Sequence, residues 1–360
     1  MRKHYMDNIR SLTILLVVCY HVIYMFNGTI PDGVIGNLTD WHGLDVVMYA
    51  LYPWFMVILF LLSGMSSRYY LENHTEKEYR KARTRKLLVP STIGILVFGW
   101  AQGYFNMAIS DAFTNIPGQV PKAVLYLIMC VSGIGVLWTI QVMWVCSMVL
   151  LLVRKIEKGR LEALGEKTGM LVLLLLGIVV WGAAQIGNTP IISVYRFGIY
   201  IVTFLLGYYV FSHERVTDLL AKYTLPLAGT AGVLCVLYCV HDYGVNYAVM
   251  PYVGSPLAIA YCWAACLAVL GVMKRWGNKP GKLWEFLRRK SFGLYVFHYL
   301  ALSACAYGLT TGTSLPAGVI YGFSALAAFA GGLLLYEILS RIPVVRWCVL
   351  GMKKREKINL

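Results

Sequence analysis

An arginine and a histidine, Arg10 and His21, stand in the first apolar run of the chain, within the stretch DNIRSLTILLVVCYH. In an α-helix their separation corresponds to about three turns and about 16 Å, so the two side chains point the same way without touching. Asp7 precedes Arg10 by three residues, a spacing at which a carboxylate can hold a guanidinium in place. The pattern therefore predicts a charged anchor at the end of a helix and a titratable base about half a bilayer away.

Each of these residues also has a simpler explanation. Arg10 alone fits an interfacial anchor, Asp7 alone fits a helix N-cap, and a neutral His21 can hydrogen-bond a neighbouring helix. An imidazole inside an apolar span, however, normally faces a cavity or a partner. For that reason His21 is the residue that most favours a functional site.

A second histidine enters a later apolar run, in the stretch KSFGLYVFHYL. His298 follows Ser291 by two helical turns, and Tyr295 precedes it by one turn on the same face. Ser291 marks the polar end of this run, so His298 is expected about 10 Å inside it. His21 and His298 are therefore expected to enter the membrane from the same side to a comparable depth, where the two rings can line one cavity.

Basic residues crowd the approach to the third apolar run, in YRKARTRKLLVP. Guanidinium groups pair with phosphate oxygens in a forked geometry, so this cluster predicts a clamp for a phosphorylated ligand. A loop that contacts lipid headgroups explains the same composition, and both interpretations stay open. The residues of the predicted clamp are Arg80, Arg83, Arg85 and Lys86.

The composition assigns these residues to a membrane protein. Of 360 residues, 59% are hydrophobic and 14% charged, whereas soluble domains are nearer half apolar and a quarter charged. Ser63 and Gly64, within the second apolar run at 46–67, predict a close contact between helices. A segment at 122–133 is too short to cross a bilayer alone, so it is either an interfacial or re-entrant segment or the start of a long, tilted fourth span. Runs of about 20 apolar residues, each sufficient for a transmembrane helix, lie near 11–28, 46–67, 88–107, 134–153, 169–187, 195–212, 224–241, 254–273, 291–310 and 317–340.

The distribution of charge predicts the orientation of the chain. With a cytoplasmic N-terminus, all but Lys122 and Arg196 of the 32 Lys and Arg residues lie on the inner side, as the positive-inside rule requires. The net charge of +15 therefore indicates contact with membrane lipids, and no nucleic-acid partner is expected. Nine cysteines show no metal-ligand spacing. We predict an all-α integral membrane protein of the cell membrane, a single domain over residues 1–360 with about ten transmembrane helices and both termini cytoplasmic.

Taken together, these stretches resemble the acyltransferase-3 family of integral-membrane acyltransferases. Besides the two histidine segments, the resemblance rests on FMVILFLLSG, RTRKLLVP, LWTIQ and FLLGYYV. The tail YEILSRIPVVRWCVLG looks like the subgroup that modifies periplasmic glucans, and the external esterase-like domain of many relatives is not expected here. The resemblance also implies an Arg-x-x-Arg pair at the third span. Arg80 and Arg83 have that spacing, but Arg83 and Lys86 lie closer to Pro90, so the register stays open.

The resemblance implies an O-acyltransferase that moves an acetyl or succinyl group from acyl-coenzyme A to a hydroxyl of a glycan or another acceptor. The resemblance assigns Arg10 and His21 to the functional positions of the family's first span, with Asp7 beside them. The donor phosphates are expected at Arg10 and the basic clamp, with His21 as the general base, and no metal takes part. His298 or Tyr295 orients this base or stabilises the oxyanion, and the choice between them stays open. The leading alternative is a multi-span transporter with buried histidines in a proton relay. Such a transporter more often has two halves with matching interrupted spans, and the sequence shows none.

Overall fold

The computed structural model describes residues 3–30, 34–35, 42–189 and 193–352, with only the backbone of His42. Within these ranges the regular structure is helical, apart from an isolated bridge between Asn188 and Arg196. The longer helices, in chain order, are α1 (His4–Met25), α2 (Asp45–Leu71), α3 (Glu76–Arg83), α4 (Ile95–Ile109), α5 (Lys122–Ser132), α6 (Gly135–Glu157), α7 (Arg160–Glu166), α8 (Met170–Ala184), α9 (Phe197–Phe211), α10 (Glu214–Lys222), α11 (Thr224–Asp242), α12 (Pro256–Arg275), α13 (Lys282–Gly312), α14 (Ala317–Leu339) and α15 (Pro343–Cys348).

Seven helices in the described part of the chain are long and apolar enough to cross a membrane: α1, α2, α6, α11, α12, α13 and α14. They coincide with seven of the predicted runs, and the prediction of an all-helical, multi-pass membrane protein is confirmed. The other three runs contain α4, α8 and α9, which are apolar but only 10–17 residues long. Helices of that length fall short of the roughly 20 residues that a straight crossing needs.

The short segment at 122–133 forms a helix of its own, α5, and does not begin a long fourth span. Gly135 has a φ of +46°, in the left-handed region, and this interrupts the helical path between α5 and α6. Helix α5 lies against α4, because a Cβ at Gly103 would come within 1.7 Å of the Met129 carbonyl oxygen. The two short helices therefore pack backbone to backbone.

The chain packs as two compact units. Among the described residues, the first unit comprises those within 1–16, 46–80 and 142–289. It contains the start of α1, nearly all of α2, the start of α3, most of α6, helices α7 to α12 and the first turns of α13. The second comprises those of 17–45, 81–141 and 290–352, with the end of α1, α4, α5, most of α13, α14 and α15. A single functional domain over the whole chain stays a prediction.

In the first unit, glycines bring α2 and α9 into backbone contact. A Cβ at Gly64 would lie 1.9 Å from the carbonyl oxygen of Phe204, and one at Gly207 would lie 2.1 Å from that of Leu61. Small residues permit this approach, and van der Waals packing then stabilises helix pairs within a membrane. The predicted helix contact at Gly64 is confirmed.

We expect Gly64→Ala to lower the free energy of unfolding by about 1–3 kcal/mol, because the added methyl overpacks a backbone contact. Gly229→Ala in α11 is the matched control, since a Cβ there meets nothing within 4 Å. Alanine also favours a helix over glycine, so the control should be neutral or stabilising. Thermal unfolding of both variants in the same detergent tests this, and equal midpoints for the two would contradict the contact.

Candidate functional site

His21 and His298 meet in the second unit. Nε2 of His298 lies 3.1 Å from Nδ1 of His21, and the ring centroids are 5.1 Å apart. His298 is completely buried and His21 is partly buried. The sequence predicted two histidines inside apolar helices, and the structure brings their rings into hydrogen-bond distance.

Close packing of α13 against α14 fixes the position of His298. A Cβ at Gly332 in α14 would lie 3.0 Å from the Cα of His298. One turn and a half earlier in α13, a Cβ at Gly293 would lie 2.0 Å from the ring of Tyr336. A bulkier residue at either glycine would push α14 away, so the two glycines set how closely α14 approaches the histidine.

The hydrogen bonds of His298 assign the tautomers of both histidines. Its Nδ1 lies 3.0 Å from the carbonyl oxygen of Leu294 and 2.9 Å from that of Tyr295. A carbonyl oxygen only accepts, so Nδ1 must carry a hydrogen and donate it. In a neutral His298, Nε2 is then an acceptor, and the hydrogen between the rings belongs to Nδ1 of His21. Nε2 of His21 keeps a lone pair, as a general base requires.

Three tyrosine rings surround His21. The ring centroid of Tyr299 lies 4.9 Å away, that of Tyr20 lies 5.3 Å away and that of Tyr24 lies 6.4 Å away. Sequence reasoning missed Tyr299, although it directly follows His298. An aromatic residue in an apolar helix usually indicates core packing, so its position carried little signal. These rings restrict how the imidazole of His21 can turn.

Tyr295 contributes to this site through its backbone. Its hydroxyl donates to the carbonyl oxygen of Val136, and its own carbonyl oxygen accepts from His298. The side chain is buried. A direct chemical role for the Tyr295 hydroxyl stays a prediction.

Arg10 and Asp7 lie near the start of α1, in the first unit. Nη1 of Arg10 is 3.4 Å from Oδ1 of Asp7, and Nη2 donates to the hydroxyl of Ser66 at 3.0 Å. That hydroxyl donates in turn to the Leu62 carbonyl oxygen. The Arg10 side chain remains 40% exposed, so its guanidinium is held in place and still accessible. Ser66 carried no signal in the sequence, because a serine in an apolar helix is typical of helix packing.

Arg10 faces a polar cavity of about 750 Å³ in the first unit. Glu214, also in its wall, pairs with Lys274 and, at 2.5 Å, with Lys3. Hydrogen bonds from Lys274 and Lys3 hold the pKa of Glu214 below its usual range, so the carboxylate is charged at neutral pH. Lys274 also pairs with Asp218 at 3.1 Å, so two carboxylates balance the two lysines. The guanidinium of Arg10, with a 40% exposed side chain, remains accessible to an anion in this cavity.

The residues of the predicted clamp differ in their environment. Arg80 is exposed on α3, and Arg83, at its end, is partly buried. In the turn that follows, Arg85 is partly buried and Lys86 is exposed. Nε of Arg85 is buried without a hydrogen-bond partner among the described residues. Arg80 belongs to the first unit and the other three to the second, and their joint role as a clamp stays a prediction.

Comparison with protein families identifies a match that covers nearly the whole chain. A protein-family profile described as an acyltransferase domain matches residues 3–337. The matched range contains both histidines, Arg10 and the basic cluster. No curated protein and no solved structure matches the chain. Across the described residues, no group of three or more His, Cys, Asp or Glu side chains is arranged to hold a metal ion.

Proposed function

Since this chain belongs to the family defined by that acyltransferase domain, we propose that it is a membrane O-acyltransferase that uses acyl-coenzyme A. It moves an acetyl or succinyl group to a hydroxyl of an extracytoplasmic or lipid-linked glycan. The observation that carries this proposal is the His21–His298 pair, whose hydrogen bonds leave Nε2 of His21 unprotonated. The transporter alternative is not favoured, because the family match covers nearly the whole chain.

The proposed topology has ten spans, both termini in the cytoplasm of a cell, and one functional domain. Helices α4, α8 and α9 then cross as short or tilted segments beside the seven longer ones. The concentration of Lys and Arg in alternate loops supports this arrangement.

In this proposal the donor binds from the cytoplasm. Arg10 pairs with its phosphates, and Asp7 and Ser66 aim the guanidinium. A role of the basic residues at 80–86 in phosphate binding stays a prediction. Helix α1 runs unbroken from His4 to Met25 and carries both Arg10 and His21. The two residues are therefore about 16 Å apart along its axis. An extended pantetheine arm suits such a separation, since it places the thioester far from the phosphates.

The proposed chemical step is direct transfer. Nε2 of His21 removes the proton from the acceptor hydroxyl as the oxygen attacks the thioester carbonyl. The tetrahedral intermediate collapses, the carbon–sulfur bond breaks, and the coenzyme A thiolate takes the proton from His21. While His21 is cationic, its Nδ1–H bond to His298 is charge-assisted and therefore stronger. His298 acts as a positioning residue, and Tyr295 supports it through its carbonyl oxygen.

The direct test uses purified protein, acetyl-coenzyme A or succinyl-coenzyme A, and a glucan oligosaccharide. We expect release of free thiol together with an acylated glycan detected by mass spectrometry. Protein without an acceptor provides the background of thioester hydrolysis. Absence of acyl transfer from both donors to glycan and to envelope lipid extracts would contradict the proposal.

We expect Arg10→Ala to raise the KM for acyl-coenzyme A by about 10- to 100-fold, the loss of a charge-assisted hydrogen bond worth about 1.5–3 kcal/mol. Arg10→Lys should recover part of this loss, because it keeps the charge without the fork. Steady-state kinetics with varied donor concentration measure the effect. Arg275→Ala, a change of another exposed arginine, is the control. A wild-type KM in Arg10→Ala would remove Arg10 from the donor site.

A further inference from the structure

A second cavity, of about 470 Å³, lies in the first unit beside the start of α1. Its wall combines His4, Asp7 and Asn8 with the loop before α13 and the first turns of that helix. A volume of this size is in the range of small-molecule sites. Apart from Asp7, none of these residues has a role in the proposed reaction.

Hydrogen bonds fix the wall of this cavity. Asn8 is almost completely buried, and its Nδ2 donates to the carbonyl oxygens of Gly277 and Lys279 at 2.8 and 3.1 Å. The backbone N–H of Tyr5 donates to Oδ1 of Asn278 at 3.1 Å. Helix α1 therefore holds the loop that leads into α13, and the cavity is formed before any ligand arrives.

The side chains of α13 in this cavity suit a nucleotide. Trp284 and Arg288 are four residues apart and lie on the same face of the helix, with Lys282 nearby. An indole offers a surface on which a base stacks, and a guanidinium pairs with phosphate oxygens. The two carboxylates in the wall, Glu285 and Asp7, each have a basic partner in the protein. The cavity therefore combines an aromatic surface with accessible positive charge.

Asp7 lies in the wall of both this cavity and the cavity that Arg10 faces. A ligand bound against Trp284 is therefore next to the Asp7–Arg10 pair. We infer that this second cavity binds the adenosine phosphate end of the donor, with the adenine on Trp284 and a phosphate on Arg288. The inference rests on the proposed use of acyl-coenzyme A and assigns the donor's nucleotide to residues outside the basic cluster at 80–86.

Binding of adenosine 3′,5′-bisphosphate to the purified full-length protein tests this site without any catalytic step. We expect Trp284→Ala and Arg288→Ala each to weaken binding by about 5- to 100-fold in calorimetry, as the loss of a stacked base or a phosphate partner predicts. Trp284→Phe keeps an aromatic surface and should bind within a few fold of wild type. The matched controls are Trp276→Ala and Arg275→Ala. These two residues form a stacked pair outside this cavity, with 5.0 Å between the guanidinium and the ring centroid.

Pyrophosphate, which lacks the base, should bind more weakly than the bisphosphate and be insensitive to Trp284→Ala. Equal affinity for the two ligands would show a site that recognises phosphate alone, such as that of a lipid headgroup, and would overturn the inference. Absence of bisphosphate binding to wild type, or equal losses in the control variants, would overturn it as well.

A truncated donor separates this inference from the proposed function. Trp284→Ala should raise the KM for acetyl-coenzyme A by about 5- to 100-fold and leave the KM for S-acetylpantetheine unchanged. Equal increases for both donors would contradict a nucleotide site. Bisphosphate binding in a protein that transfers no acyl group would overturn the proposed reaction and leave the nucleotide site standing.

Discussion

Replacing His21 with alanine is expected to lower kcat for acyl transfer by about 10²- to 10⁴-fold, the usual contribution of a general base. The KM for acyl-coenzyme A should change little, because the proposed phosphate contacts lie at the other end of α1. Transfer from radiolabelled acetyl-coenzyme A to glycan measures both constants. His74→Ala is the control, since His74 is exposed and stacks on Tyr70 with ring centroids 4.0 Å apart.

Loss of the fold is a different explanation for an inactive His21 variant, and His21→Gln addresses it. Glutamine is polar and of similar length, so the buried surroundings are kept while the titratable nitrogen is lost. Both variants should retain the thermal midpoint of the wild type and the wild-type affinity for adenosine 3′,5′-bisphosphate. Wild-type turnover in either variant would exclude His21 as the base and end the proposed mechanism.

The positions of the helices could be predicted from hydropathy because each span is a local property of about 20 residues. The alignment of Arg10 with His21 is equally local, since it needs only that α1 remain unbroken. Contacts between helices that are far apart in the sequence are not a local property. His21 and His298 are 277 residues apart, and no periodicity in either segment encodes the register at which α1 and α13 meet.

Some of the positions at which helices pack closely could be recognised in the sequence, because they are glycines. Gly293 and Gly332 permit the close approach of α13 and α14, and Gly64 does the same for α2 and α9. A glycine in an apolar helix, however, does not indicate which helix it contacts, so only the structure identifies the backbone that packs against it. Ser66, which aims Arg10, was hidden for the same reason: its hydroxyl was equally compatible with helix packing.

The start of α13 shows a second limit of hydropathy. The apolar run was expected near 291–310, but α13 begins at Lys282 and has 31 residues. Charged residues in its first turns lower the mean hydropathy without interrupting the helix, because Lys, Glu and Arg are good helix formers. Those turns carry Trp284 and Arg288, so the proposed nucleotide site lies in a segment that composition alone describes as a basic loop.

The second large effect is expected at His298, although this residue transfers no proton in the proposed reaction. Its Nε2 is the acceptor that keeps the hydrogen of His21 on Nδ1. In His298→Ala that acceptor is lost and the backbone hydrogen bond of His21 with Val17 is left to hold the hydrogen, so a larger share of it moves to Nε2 of His21, the atom that must accept the substrate proton. We expect kcat to fall by about 10²- to 10⁴-fold with little change in the KM for the donor.

If His298 positions His21, replacing it should change the tautomer of His21, which a loss of stability alone would not do. The ¹⁵N chemical shifts of labelled His21 should report the Nδ1–H tautomer in wild-type protein and a larger share of the Nε2–H tautomer in His298→Ala. His298→Gln places an amide oxygen where it can accept from Nδ1 of His21, so it should restore more activity than His298→Leu, which fills the space without an acceptor. If both variants lose activity equally while the His21 tautomer is unchanged, His298 only packs. The hydrogen-bonded chain from the α13 backbone to His21 would then have no part in the reaction.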